Sequence, residues 1–320
     1  MRDHGGDLGK ARARWGKGDW LDLSTGINPV PYPMPALETA SLTTLPGAEA
    51  LADLEAAARI AYDTRVRPLP LAGAQAAIQL VPHLKARGRA AILGPTYNEH
   101  AAALRAGGWA VSEVSASEQL EGADLAIVVS PNNPDGRRIS ADRLEALSEE
   151  VGLLIVDESF ADADPSQSLA PRLGPTSDRI VVLRSFGKFY GLAGLRLGFA
   201  LTGARLRADL AELAGPWAVS GPAIAAGRVA LRDLDWQRAT RDRLEADSAR
   251  LDTWAAEAGW TLAGGTTLFR TYETPDATEA QDRLASQRIW SRIFPYSTRW
   301  LRLGLPGDAS GWDRLRAALS

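Results

Sequence analysis

Apolar residues along this chain gather in short unbroken runs rather than in strict alternation. Leu125-Ala126-Ile127-Val128-Val129-Ser130, Leu153-Leu154-Ile155-Val156 and Arg179-Ile180-Val181-Val182-Leu183 are the clearest. Runs of this length and β-branched content predict strands covered on both faces, as parallel strands are. Weaker stretches at 68–72, 89–93, 109–114 and 199–201 extend the set. Helical spacing fills the gaps. Leu51, Leu54, Ala58 and Tyr62 mark an amphipathic helix over 48–62, an Ala-rich string follows Gly73, and further helices are expected over 98–107 and from Ser140, a good N-cap, to about Glu150. Strands alternating with helices through 68–201 predict an α/β fold with a mostly parallel sheet covered by helices on both faces.

Beyond Leu201 the pattern changes. Pro216 to Pro222 reads as the entry to a second domain, followed by a charge-laced helical pattern from Leu231 to about Trp254. Strands at 260–262, 267–270 and 300–305, with helices around 277–287 and 310–319, predict a smaller α+β domain. The first 35 residues are rich in Gly and Pro and read as an extended arm with one short strand at Trp20–Ser24. The expected organisation is an arm over 1–35 that contributes to the active site and the small domain, a large domain over 36–207 and a small C-terminal domain over 208–320.

Composition narrows the function classes. With 320 residues, 45% hydrophobic and 23% charged, the chain can bury a sizeable core. A net charge of −3 without a basic block argues against nucleic acid. No apolar run approaches the roughly 18 residues of a membrane span. Residues 1–6 lack the apolar core of a signal peptide, and the absence of cysteine fits a reducing cytoplasm. Three histidines without ligand-type clustering predict no metal site.

The chemistry concentrates in Arg184-Ser185-Phe186-Gly187-Lys188-Phe189-Tyr190-Gly191-Leu192-Ala193-Gly194-Leu195-Arg196-Leu197-Gly198. A lysine after a strand is most often a solvated loop residue. Desolvated among glycines and aromatic rings, its amine loses preference for the charged form and can act as a nucleophile. Ser-x-x-Lys followed by Gly-Leu-x-Gly-x-Arg-x-Gly closely resembles the Schiff-base lysine motif of fold-type I pyridoxal-phosphate enzymes, in the class I/II aminotransferase superfamily. That resemblance implies an aminotransferase-like fold and pyridoxal 5'-phosphate as cofactor. It gives Lys188 the covalent link and Ser185 and Arg196 the cofactor phosphate, with Gly73-Ala74-Gln75 as the phosphate loop. Tyr97 would stack on the pyridine ring, Asn133 of Asn-Pro-Asp-Gly would bond the phenolic oxygen, and Asp157 would pair with the pyridine nitrogen. Lys188, Asp157 and Tyr97 are the implied catalytic set. Two departures stand out: Gln75 replaces the usual Ser, Thr or Asp, and Phe160 replaces a tyrosine.

His4-Gly5-Gly6, Ser24-Thr25-Gly26-Ile27-Asn28-Pro29 and Leu45-Pro46-Gly47 resemble one branch of that superfamily, the threonine-phosphate decarboxylases of cobalamin biosynthesis. The branch implies decarboxylation of L-threonine O-3-phosphate to (R)-1-amino-2-propanol O-phosphate, with His4, Gly26, Asn28, Asn133 and Arg302 contacting this phosphorylated amino acid. An arginine on a strand face such as Arg302 is otherwise most often solvent-facing, and Arg299 is its weaker stand-in. A homodimer is the family expectation, although Leu45 stands where aminotransferases place a tyrosine that reaches the neighbouring subunit. An aminotransferase of a phosphorylated amino acid such as histidinol phosphate is the alternative reaction. A non-catalytic cofactor-binding protein is the alternative class.

Overall fold

The computed structural model describes residues 4–34 and 36–320. Residues 1–3 and 35 of the expected arm lie outside the described residues. In chain order the strands are β1 (Leu21–Asp22), β2 (Leu69–Leu71), β3 (Arg89–Leu93), β4 (Ala110–Val114), β5 (Leu125–Val129), β6 (Leu154–Asp157), β7 (Ile180–Ser185), β8 (Gly198–Leu201), β9 (Thr261–Thr266), β10 (Phe269–Glu273), β11 (Ile289–Trp290), β12 (Arg292–Phe294) and β13 (Ser297–Gly304). They belong to two compact units. One comprises Tyr32–Asn133 and Arg138–Gln237, and the other the chain up to Pro31, Pro134–Arg137 and Arg238–Ser320.

The larger unit holds a sheet in the order β2-β8-β7-β6-β5-β3-β4. β8 runs antiparallel to both β2 and β7, and every other pairing is parallel. β5 and β6 are buried at every position, as their continuous apolar runs require. The helix Ala141–Glu150 between them starts where Ser140 accepts the Arg143 N–H at 3.3 Å. The expected mostly parallel sheet is thus present.

The smaller unit carries an antiparallel sheet in the order β12-β13-β10-β9 and a parallel pair, β1 with β11. Its N-terminal segment is not simply extended: Leu8–Trp15 is a helix. Asp7 caps it by accepting the Gly9 N–H at 3.0 Å, and Ala11 packs on Trp20 and Ala285. The division between the units falls after Gln237, not near residue 207. Leu206 and Leu210 belong to the large unit's core, and the helix Gly221–Ala230 packs on Ala48–Ala61. Pro216 to Pro222 is therefore a link inside the large unit rather than the entry to the small one.

A buried ion cluster fixes the ends of β6 and β7. Arg184 donates to Glu158 Oε2 at 2.7 Å and to Asp162 Oδ1 at 2.6 Å, with its guanidinium 4.5 Å from the Tyr62 ring centre. The Ser168 hydroxyl at 2.5 Å and the Leu169 N–H at 2.6 Å complete the shell of Glu158. Burial alone would disfavour the Arg184 charge, but Asp162 and Glu158 outweigh it and push its pKa up. Glu158 follows Asp157 and Arg184 precedes Ser185, so the cluster sits directly behind two expected site residues. Replacing Arg184→Met leaves two buried carboxylates without their cation. It should cost about 3–5 kcal/mol, read as a lower urea-unfolding midpoint; an unchanged midpoint would contradict this role.

Candidate active site

One cavity of about 150 Å³ in the large unit is lined by Gly73, Ala74, Gln75, Tyr97, Asn133, Asp157, Ser185, Lys188 and Arg196. These are the residues that the motif resemblance places around the cofactor, and the fold explains their convergence. Parallel strands β5, β6 and β7 end at one edge of the sheet, where open α/β sheets bind ligands. Asn133 follows β5, Asp157 ends β6, Ser185 ends β7, and Lys188 lies in the single helical turn Phe186–Phe189.

The pyridoxal phosphate implied by the sequence can be tested against these residues. Gly73 has φ +80°, and a Cβ there would stand 2.9 Å from Arg196 Nη2. Only glycine brings the backbone this close to the guanidinium, which makes a cradle for an anionic oxygen. Arg196 itself takes a left-handed conformation, φ 55° and ψ 56°, with Nη1 donating to the Ala193 carbonyl at 3.1 Å. Such strain in a non-glycine residue is typical of sites where the surroundings dictate the backbone.

At the other end of the cavity Asp157 is buried, with 3% exposure. His100 Nε2 lies 2.8 Å from its Oδ2, while the Ser159 hydroxyl at 2.5 Å and N–H at 2.9 Å donate to Oδ1. Burial alone would raise the Asp157 pKa; His100 and Ser159 together outweigh it and hold the carboxyl below its usual value. A carboxylate kept ionised here suits pairing with a protonated ring nitrogen. The residues present therefore fit the cofactor at both its phosphate and its pyridine end.

The walls differ from the expectation in detail. The Gln75 side chain is engaged by its neighbours: Tyr97 Oη donates to Oε1 at 3.3 Å, and Nε2 donates to Glu99 Oε2 at 3.2 Å. Phe160 is buried in the wall, with Lys188 Nζ 5.6 Å from its ring centre. His100, Ser159 and Glu99 were not singled out in the sequence. The available signal was a histidine three residues after Tyr97 at the start of a helix, in a chain with only three histidines.

The expected substrate contacts other than Asn133 lie in the small unit. The His4-Gly5-Gly6 segment docks on Ser24: the Gly6 N–H donates to Ser24 Oγ at 2.7 Å, and that hydroxyl donates to Asp22 Oδ1 at 2.6 Å. Arg302 Nη2 donates to the Ser24 carbonyl at 2.6 Å. Gly26 and Asn28 are buried. Arg302 is also buried, at 5% exposure, contrary to the usual fate of a strand arginine. Burial and then Arg292, its direct partner across β12 and β13, push its pKa down to about 9. Two arginines facing each other across a ladder repel, so this pair favours an anion nearby. Arg292 was missed because its partner across the ladder is set by register. Arg299 is exposed and faces Glu273 at 3.8 Å, which removes it as a stand-in.

The Asp157 shift has a testable sign. A carboxyl held below its usual pKa stabilises the fold above about pH 4, and this contribution fades as pH falls through the lower folded value. In His100→Phe, burial should dominate and raise the Asp157 pKa. The variant's deficit in urea-unfolding midpoint should be largest at neutral pH and shrink towards pH ~4. A deficit constant across that range would contradict the account.

Residues 41–319 match the family of class I and II aminotransferases. The whole chain is 46% identical to a threonine-phosphate decarboxylase of Pseudomonas aeruginosa, covering 97% of that protein. It is 44% identical to one from a Sinorhizobium species, with 99% of this chain and 97% of the relative covered. Among solved structures, histidinol-phosphate aminotransferase from Sinorhizobium meliloti, in complex with pyridoxal-5'-phosphate, superimposes with a TM-score of 0.84 at 20% identity, covering 100% of this chain and 94% of that one. The chain belongs to the aminotransferase class I and II family.

Proposed function

We propose that this protein is a pyridoxal-phosphate-dependent threonine-phosphate decarboxylase. It converts L-threonine O-3-phosphate into (R)-1-amino-2-propanol O-phosphate and carbon dioxide, a step of cobalamin biosynthesis. The full-length likeness to two threonine-phosphate decarboxylases carries this reading. The cavity supports it, because the residues there fit the cofactor. Exposed apolar side chains at Leu42, Leu45 and Trp217 support a homodimer, and no described helix is long and apolar enough to cross a membrane.

When bound, pyridoxal phosphate supplies an electron sink for the pair released at the substrate α-carbon. Lys188 would hold it through Nζ, Arg196, Ser185 and the Gly73-Ala74-Gln75 turn would hold its phosphate, and Tyr97 would stack on its ring. Asn133 would bond the phenolic oxygen and lie within reach of the substrate. Asp157, kept ionised by His100 and Ser159, would hold a proton on the ring nitrogen. His4, Gly26, Asn28 and Arg302 would orient the substrate's carboxylate and phosphate, so that the α-carbon–carboxylate bond is the one aligned for cleavage. Lys188 or a water would then supply the proton that the α-carbon takes up in place of the departed carbon dioxide.

Lys188→Ala should abolish turnover of L-threonine O-3-phosphate; turnover retained in that variant would overturn the assignment. Arg302→Ala should raise KM about 10- to 100-fold, the range for losing a hydrogen bond to a charged group. An unchanged KM would remove Arg302 from the substrate site.

A further inference from the structure

Lys188 sits in a helical turn of four residues, Phe186–Phe189, followed by Tyr190 as its C-cap. A single turn of helix has little stability of its own, so its neighbours must set where the lysine points. Phe186, Phe189 and Tyr190, at i, i+3 and i+4, share one face of the turn, and Lys188, at i+2, does not. The three rings are buried, while Lys188 lines the cavity. The rings form a column that ends on Trp236, far along the chain in the first turn of the helix Leu234–Glu257. Phe186 stacks on Tyr190 with 4.4 Å between ring centres, Tyr190 stacks in turn on Trp236 at 5.6 Å, and Phe189 meets Trp236 edge-on at 5.5 Å.

Hydrogen bonds close this column into a ring of contacts within the large unit. The Tyr32 backbone N–H donates to the Tyr190 carbonyl at 2.9 Å. The Tyr32 hydroxyl donates to Asp233 Oδ2 at 3.1 Å, and Asp233 Oδ1 accepts the Trp236 backbone N–H at 2.9 Å, as a residue at a helix start does. The Tyr32 ring itself meets Trp236 edge-on at 5.0 Å. We infer that Trp236 is a positioning residue for Lys188: stacked on Tyr190 and locked by Tyr32 and Asp233, it holds the aromatic face of the turn so that the amine on the other face stays aimed into the cavity. No chemistry passes through the indole. Its part is to keep a reacting amine in place, where a misplacement of about 1 Å is enough to slow a reaction ~100-fold. This inference rests on the assignment of the cofactor's covalent link to Lys188.

The test is titration of the full-length, cofactor-free protein with pyridoxal 5'-phosphate, reading both the affinity and the absorbance of the lysine-linked form. Trp236→Leu should weaken binding about 2- to 10-fold, the worth of a lost aromatic pair, and lower the yield of the lysine-linked form. Trp236→Phe, which keeps a ring for Tyr190 to stack on, should recover part of both. In Lys188→Ala, where the cofactor binds without its covalent link, adding Trp236→Leu should change the affinity by less than about twofold, because Trp236 acts through Lys188. If Trp236→Leu does not fold, Tyr32→Phe carries the same test: losing the bond to Asp233 should weaken binding in the wild-type background and not in Lys188→Ala. An unchanged affinity and yield in the variant tested, or an equal loss in both backgrounds, would overturn the inference while leaving Lys188 in its role. Lysine-linked absorbance persisting in Lys188→Ala would overturn both the assignment of Lys188 and the inference built on it.

Discussion

A carboxylate held ionised at the end of a fully buried strand is the constraint on which this site depends. Asp157 sits where burial favours the neutral acid, and only the His100 contact and the two Ser159 donors reverse that preference. The adjacent residue, Glu158, is tied to Arg184 on the neighbouring strand. β6 and β7 are thereby clamped at the level from which Asp157 and Ser185 emerge. Lys188 follows three residues after Ser185, so its placement inherits the same clamp.

The small unit solves a related problem with opposite charge. Arg302 is buried opposite Arg292, and its bond to the Ser24 carbonyl ties the last strand to the N-terminal segment. Asn28 is oriented by a third arginine, Arg243. A buried cation facing a half-buried one is costly unless an anion joins them.

Much of this was legible in the sequence because the signals are local. Continuous apolar runs marked β5, β6 and β7, and the residues chosen around the cofactor all line one cavity. What stayed hidden depends on partners distant in the chain. The helix Leu8–Trp15 is short, and its buried face is defined by contact with Ala285 and Trp290. The change of pattern beyond residue 207 does not encode the long-range packing that holds Leu206 and Leu210 in the large unit's core. His100 and Arg292 become meaningful only once register and tertiary contact place them beside Asp157 and Arg302. Phe160 was visible as a departure, and its burial beside Lys188 makes that wall of the site apolar where a tyrosine would have added a donor.

The most direct measurement follows carbon dioxide release and cofactor absorbance together, on holoenzyme given L-threonine O-3-phosphate with no keto acid present. Sustained carbon dioxide release over many turnovers, with the cofactor retained in its aldehyde-derived form, is the predicted result. A single conversion of the cofactor to its amine form without carbon dioxide would show a transaminase and contradict the account.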